Sequence, residues 1–145
     1  MMRTILVPWD GSEQSRRALD FLLQLLKEQT PAEVHVLNVQ HRAPILDRIA
    51  GGRPSEIEHA EAPALEGGRK ALAPAVEKLA AAGVPHVAKV LIGDAPHEIV
   101  DYAKAHHCEG IVMGTHGHGA VTTLMLGSIA HKVLHLTHVP VTYVR

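Results

Sequence analysis

Two glycine-containing segments near the end of the chain have the spacing of an anion-binding loop. The first is Gly114-Thr115-His116-Gly117, and the second, Gly127-Ser128, follows after nine intervening residues. Glycine has no Cβ, so the chain can turn sharply there and a ligand can approach the backbone N–H groups closely. The sequence between Gly114 and Ser128 contains no lysine or arginine. Backbone N–H groups and hydroxyl groups would therefore have to hold an anion in this loop.

The residues on either side of the glycines predict a strand and a helix. Gly110-Ile111-Val112-Met113 is typical of a short buried strand, and the apolar residues of 129–136 recur at helical spacing. A strand, a glycine loop and a helix start together form a phosphate-binding arrangement. The alternative is a long turn that binds nothing. Two other phosphate motifs fit worse, because GxxxxGK[ST] needs lysine where Leu126 stands, and GxGxxG fails at Thr122.

This pattern of GxxG, nine residues and GS, placed after a late strand, resembles the universal stress protein family. The similarity extends from Ile5 to Val144, and the glycines resemble those of the ATP-binding branch. The resemblance implies ATP as the ligand and a homodimer formed through Val141–Val144. It places Pro8, Asp10 and Val39 around the ribose and adenine. Around the phosphates it places Met113, Gly114, Thr115, His116, Gly117, His118, Gly119, Gly127, Ser128 and Ile129.

Three residues leave the nature of this site open. Asp10 would accept a hydrogen bond from ribose or hold Mg²⁺, and the alternative is a turn residue that helps Ser12 to start a helix. His118 stands where ATP-binding members often carry arginine or lysine, and a neutral imidazole attracts phosphate less than a fixed cation does. Trp9 is bulkier than usual for the family, and would either pack in the core or narrow the pocket.

Strand and helix patterns alternate along the chain and predict one α/β domain over residues 1–145 with a doubly wound parallel sheet. The predicted strands are Thr4–Pro8, Val34–Val39, Val87–Ile92, Gly110–Met113 and Val139–Val144. Residues 40–63 are predicted to be a variable loop, because they show no clear periodicity. The family resemblance implies the strand order 3-2-1-4-5 and an adenine nucleotide alpha hydrolase-like fold. In that order Asp10 and the Gly114 loop meet at one crevice.

Composition argues against several partners. The net charge is −1 and aromatic residues make up 3% of the chain, so neither a basic field nor a stacking platform for nucleic acid is expected. No apolar run approaches the roughly 20 residues that span a membrane. The single cysteine, Cys108, agrees with a reducing compartment. We therefore expect a cytoplasmic protein.

The sequence contains no convincing catalytic centre. His131 and His135 share one helix face, but Lys132 stands where a zinc protease helix carries glutamate, so no metal site is predicted. A GxSxG elbow is missing, and Ser12 and Ser128 are better explained as helix caps. We expect a nucleotide-binding regulator of the stress response rather than an enzyme. The alternatives are a slow ATPase or phosphotransferase, and a dimeric scaffold that binds no nucleotide.

Overall fold

The fold centres on a five-stranded parallel sheet with the strand order 3-2-1-4-5, which confirms the predicted topology. The computed structural model describes residues 3–28, 31–42, 53–117 and 126–145. The strands are β1 Arg3–Pro8, β2 Ala32–Gln40, β3 His86–Ile92, β4 Gly110–Gly114 and β5 Val141–Val144. The helices are α1 Glu13–Leu26, α2 Pro54–Ala81, α3 Ala95–Ala105 and α4 Ser128–Leu136.

The helices cover both faces of the sheet, and each face has its own apolar core. On one face, buried residues of α1 and α2 pack against Val7, Val36 and Val112 of the central strands. On the other face, buried residues of α3 and α4 pack against Leu6 and Ile111. Neighbouring residues of one strand thus serve opposite cores, which explains why the central strands are almost continuously apolar. The two cores thus hold the sheet between two helical layers.

The order in which the chain adds strands to the sheet reverses between β1 and β4, which are neighbours and run parallel. Ile5 pairs with Gly110 and Leu6 pairs with Ile111 in parallel register. In open α/β sheets a crevice forms outside the carboxyl ends of the strands at this kind of reversal. Asp10 follows β1 and Thr115 follows β4, so the topology brings both segments to the same edge.

The prediction of a loop over residues 40–63 is wrong at both ends. Strand β2 includes Gln40, and α2 begins at Pro54. Residues 43–52 lie outside the described residues. No residue of 54–63 is classed as buried, so the first turns of α2 lack the apolar stripe that would reveal a helix in the sequence. Pro54 at the first helical position supplies a start signal, because its missing N–H is not needed there.

The last strand is also shorter than predicted. Strand β5 begins at Val141 and not at Val139. The carbonyl of Pro140 still accepts a hydrogen bond from the Ile111 N–H at 2.9 Å, so the chain is tied to β4 before the regular ladder begins. Among the described residues, no helix is both long enough and apolar enough to cross a bilayer.

Candidate functional site

The segment that joins β1 to α1 is held by its own side chains. Oδ1 of Asp10 accepts a hydrogen bond from the Ser12 N–H at 2.9 Å, and Oγ of Ser12 accepts one from the Ser15 N–H at 3.2 Å. Gly11 between them has a φ of 78°, which favours glycine. The turn role considered for Asp10 is therefore present. This role uses Oδ1 of the carboxylate.

The second oxygen of Asp10 lies against the glycine loop. A Cβ placed on Gly117 would collide with Oδ2 of Asp10. Two segments more than a hundred residues apart in the sequence therefore touch at this point. Gly117 is not among the described glycines with a positive φ, which are Gly11 and Gly83. The sharp turn expected at Gly117 does not use a positive φ, and a side chain added there would instead require the Asp10 carboxylate to shift.

The two glycine segments of the loop are bonded to each other. The Gly127 N–H donates to the Thr115 carbonyl at 2.7 Å, and the Thr115 N–H donates to the Val144 carbonyl at 3.2 Å. A Cβ on Gly127 would lie 3.0 Å from the Thr115 oxygen, so this approach also favours glycine. The Gly127 N–H is therefore used inside the loop, and the place of Gly127 beside a phosphate stays a prediction. Further backbone donors follow in the first turn of α4.

The first turn of α4 presents backbone donors without a side-chain cap. Gly127 is the N-cap residue and its position has no side-chain hydrogen bond. The N–H groups of Ser128 and Ile129 occupy the first helical positions, where a helix supplies no carbonyl partner. Both residues are exposed. Partial positive charge and unpaired donors at a helix start attract anions, so this turn has the chemistry of a phosphate site.

Tyr143 fixes this turn to the sheet. Its hydroxyl donates to the Ala130 carbonyl at 2.7 Å, and burial raises the pKa of the phenol. The hydroxyl is therefore protonated at neutral pH and is available as a donor. No sequence pattern singles out Tyr143, because an aromatic residue in a strand usually indicates packing alone.

Buried polar atoms lie next to the glycine loop. Nε2 of His116 and Oε1 of Gln14 are shielded from solvent and have no hydrogen-bond partner among the described residues. Nδ1 of His116 lies 3.0 Å from Oγ1 of Thr115. Gln14 packs on Gly114, where an added Cβ would lie 2.7 Å from Cβ of Gln14. Leaving such a group unpaired costs about 1–3 kcal/mol, so both atoms favour a polar ligand. Sequence inspection missed Gln14, which looks like an ordinary helix residue.

The strand residues predicted to surround the base lie beside this edge. Pro8 pairs with Leu37 in the sheet, and Val39 follows two residues later with its side chain partly buried. Nδ2 of Asn38 donates to the Trp9 carbonyl at 2.9 Å and joins the ends of β1 and β2. Pro8 and Val39 therefore lie near the carboxyl ends of β1 and β2. Their contact with a base stays a prediction.

Trp9 belongs to the core and does not fill the crevice. Its side chain is buried with the α1 and α2 cluster, and Nε1 donates to the Ala71 carbonyl of α2 at 2.7 Å. The indole is therefore committed to the opposite side of β1 from α4. Met113 is likewise buried, in the α3 and α4 cluster. Its side chain is part of the core, and any role in the site falls to its backbone. His118 and Gly119 lie outside the described residues.

Comparison with known proteins agrees with this architecture. A model of the Universal stress protein family matches residues 1–145. The chain belongs to the universal stress protein family. It is 36% identical over 149 residues to universal stress protein YxiE of Bacillus subtilis (strain 168), with 100% of each protein covered.

Solved structures show the same fold. The hypothetical protein MJ0577 matches with a TM-score of 0.84 and 24% identity, over 99% of this universal stress protein and 96% of that chain. A universal stress protein in complex with cAMP matches with a TM-score of 0.66 and 21% identity, over 99% and 97% of the two chains. An AMP-bound family protein from Arabidopsis thaliana matches with a TM-score of 0.67 and 16% identity, over 98% and 90%.

Proposed function

We propose that this universal stress protein binds ATP at the crevice between β1 and β4 and acts as a nucleotide-dependent regulator of the stress response. The observation that carries the proposal is the contact between Gly117 and Asp10, which joins the glycine loop to the end of β1. The uncapped first turn of α4 lies directly after the same loop. These two observations support a site in which Asp10 would accept from ribose and the start of α4 would hold the phosphates.

Each part of the nucleotide has a proposed partner. The phosphates would lie against the N–H groups of Ser128 and Ile129, with the hydroxyl groups of Ser128 and Thr115 as further donors. Asp10 would accept from a ribose hydroxyl and approach any Mg²⁺ carried by the triphosphate. The backbone of Val39 would bond the adenine. His118 and Gly119 are proposed at the phosphates from the family pattern.

Nucleotides in the structural neighbours support adenine as the base. Two proteins with the same fold were solved with cAMP and with AMP. Both ligands share adenine, ribose and one phosphate, whereas ATP adds two more phosphates. The glycine loop between Gly114 and Ser128 contains no acidic residue to repel that added charge. It also contains no lysine or arginine, so we expect weaker ATP binding than in relatives with a cation in the loop.

The proposed activity is binding and not turnover. A ligand shifts a conformational equilibrium only when it contacts the two states differently, and a loop wrapped around phosphates provides that contact. We further propose a cytoplasmic homodimer in which Val141–Val144 pairs with a second copy, because β5 is the edge strand of the sheet. Nucleic acid is not among the proposed partners.

Calorimetric titration of the full chain tests the proposal. We expect ATP, and more weakly AMP, to release or absorb heat at one site per chain, while adenosine without phosphate binds at least about tenfold more weakly than ATP. Phosphate release measured with and without Mg²⁺ should stay at background. Release above background that Asp10→Ala abolishes would show a slow ATPase. No heat and no rise in Tm at millimolar nucleotide would show the nucleotide-free scaffold and overturn the proposal.

A further inference from the structure

Two histidines on the exposed surface of α4 point their ring nitrogens at each other. His131 and His135 are four residues apart, so they lie one turn apart on the same helix face. Their Nε2 atoms are separated by 3.2 Å, and the ring centroids are 4.5 Å apart with an interplanar angle of 70°. In the neutral pair one Nε2 donates a hydrogen and the other accepts it.

The same separation suits two ligands of one metal ion. A tetrahedral ion bound to two imidazoles at roughly 2.05 Å holds the two nitrogens roughly 3.3 Å apart. The observed distance between the two Nε2 atoms is 3.2 Å. A small rotation of either side chain covers the difference. Replacing the shared hydrogen with an ion therefore requires little movement of either ring.

The charged residue nearest to the histidine pair in the sequence is Lys132. Lys132 follows His131 directly, and its positive charge helps to lower the pKa of Asp94 at the start of α3, after the larger effect of the hydrogen bond from His97. The described residues contain no group of three or more His, Cys, Asp or Glu side chains suited to a metal. Water would complete the coordination shell.

We propose that His131 and His135 form a two-histidine site for a divalent transition-metal ion such as Zn²⁺, Ni²⁺ or Cu²⁺. Imidazole is a preferred ligand of these ions, and Cu²⁺ binds most tightly in the general affinity order. The ion bridges successive turns, so it binds only the helical form of this segment and stabilises α4. The site uses neither the glycine loop nor Asp10, and it stands independently of the proposed nucleotide function.

Titration of the full chain with Zn²⁺, Ni²⁺ and Cu²⁺ salts, followed by calorimetry and by imidazole NMR signals, tests this site. We expect one saturable ion per pair, with Cu²⁺ the tightest, and removal by EDTA. His131→Ala and His135→Ala should each weaken binding at least about tenfold, because a single imidazole is left. Both changes keep α4 folded, since alanine is the best helix former.

Matched controls separate this site from the other histidines, since the chain has twelve. His138→Ala, just beyond α4, and His97→Ala, at the start of α3, remove exposed imidazoles that lack a paired ring one turn away. We expect both variants to keep the affinity of the unaltered chain. Equal affinity in His131→Ala or His135→Ala, or the absence of binding at millimolar metal, would overturn the assignment.

Discussion

The starts of α1 and α4 lie at the same edge of the sheet and are built in opposite ways. At the start of α1, side chains satisfy the backbone, because Asp10 accepts from Ser12 and Ser12 accepts from Ser15. At the start of α4, the N-cap is Gly127, which has no side chain to offer. Side chains of the chain itself therefore cap the start of α1. The start of α4 has no such cap, so its backbone N–H groups can bind a ligand.

The difference assigns separate roles to the two helix starts: the start of α1 stabilises the fold, and the start of α4 is proposed to bind the ligand. The capped start fixes α1, and through Asp10 it also supports the glycine loop. The uncapped start loses that local stabilisation, and Tyr143 compensates by tying the Ala130 carbonyl to β5. A buried hydrogen bond contributes only about 0.5–1.5 kcal/mol, so this arrangement holds α4 without closing its N–H groups.

The largest expected effect on ATP binding comes from a side chain placed between the glycine loop and Asp10. Gly117→Val puts a side chain where the Asp10 carboxylate now lies, so that carboxylate must leave its place beside the loop. We expect ATP affinity to fall at least roughly 100-fold, which corresponds to about 2.8 kcal/mol, with the helix content unchanged. Titration calorimetry and circular dichroism measure these two quantities.

The control for this variant is Gly67→Val. Gly67 lies in α2, and no atom lies within 4 Å of an added Cβ there. The control should bind ATP with unaltered affinity, although valine is not a strong helix former. If folded Gly117→Val also kept its affinity, the contact with Asp10 would have no part in binding.

The next largest effect separates the two roles of Asp10. Asp10→Asn keeps an oxygen that can accept from the Ser12 N–H but removes the negative charge, whereas Asp10→Ala removes both. We expect Asp10→Ala to weaken ATP binding about tenfold and to lower the free energy of unfolding by about 1 kcal/mol. Asp10→Asn should keep the stability and show which part of the affinity needs the charge. Identical stability in all three proteins would contradict the turn role of Asp10.

A pair of serine variants compares the helix starts directly. Ser12→Ala should lower the free energy of unfolding by about 1 kcal/mol, because it removes the cap on α1, and should leave ATP affinity unchanged. Ser128→Ala should do the reverse, with stability within about 0.5 kcal/mol of the unaltered chain and ATP affinity a few-fold lower. Urea unfolding and calorimetry measure both properties. If the two variants behaved alike, the distinction between the helix starts would fail.

The smallest effect concerns the start of α3, where the side chains of Asp94 and His97 are hydrogen-bonded to each other. A hydrogen bond with His97 is the main cause that lowers the pKa of Asp94. Its stabilisation is present above the ordinary carboxyl pKa and is lost as the pH falls through the lower value of the folded state. Asp94→Asn should therefore lower stability slightly at pH 6 and have no effect near pH 2. Urea unfolding at the two pH values provides the check, and an equal effect at both would contradict it.

Topology made the meeting of Asp10 and the glycine loop predictable. Asp10 follows one short apolar strand and Gly114 ends another, and alternation of strands and helices places both at the carboxyl edge. The strand order came from the family resemblance. The sequence could not reveal that Gly127 and Thr115 bond to each other, because that contact depends on the path of the loop.

The sequence also could not reveal how α1, α2 and Trp9 pack on the sheet. The first turns of α2 are exposed, so no apolar stripe marks a helix before residue 64. Trp9 had two plausible places, and only the position of Ala71 across the sheet face decides between them. Gln14 lies near the site because α1 packs on the end of β4, which no local pattern encodes.

The central claim is that backbone donors at the start of α4 hold the phosphates of an adenine nucleotide. Backbone amide NMR of the full chain during titration with ATP tests it most directly. The account predicts large, saturable shifts at Gly117, Ser128 and Ile129, smaller ones with AMP, and none at the capped Ser15. Saturable shifts at Ser15 with none at Ser128 and Ile129, or no shifts at millimolar ATP, would contradict it.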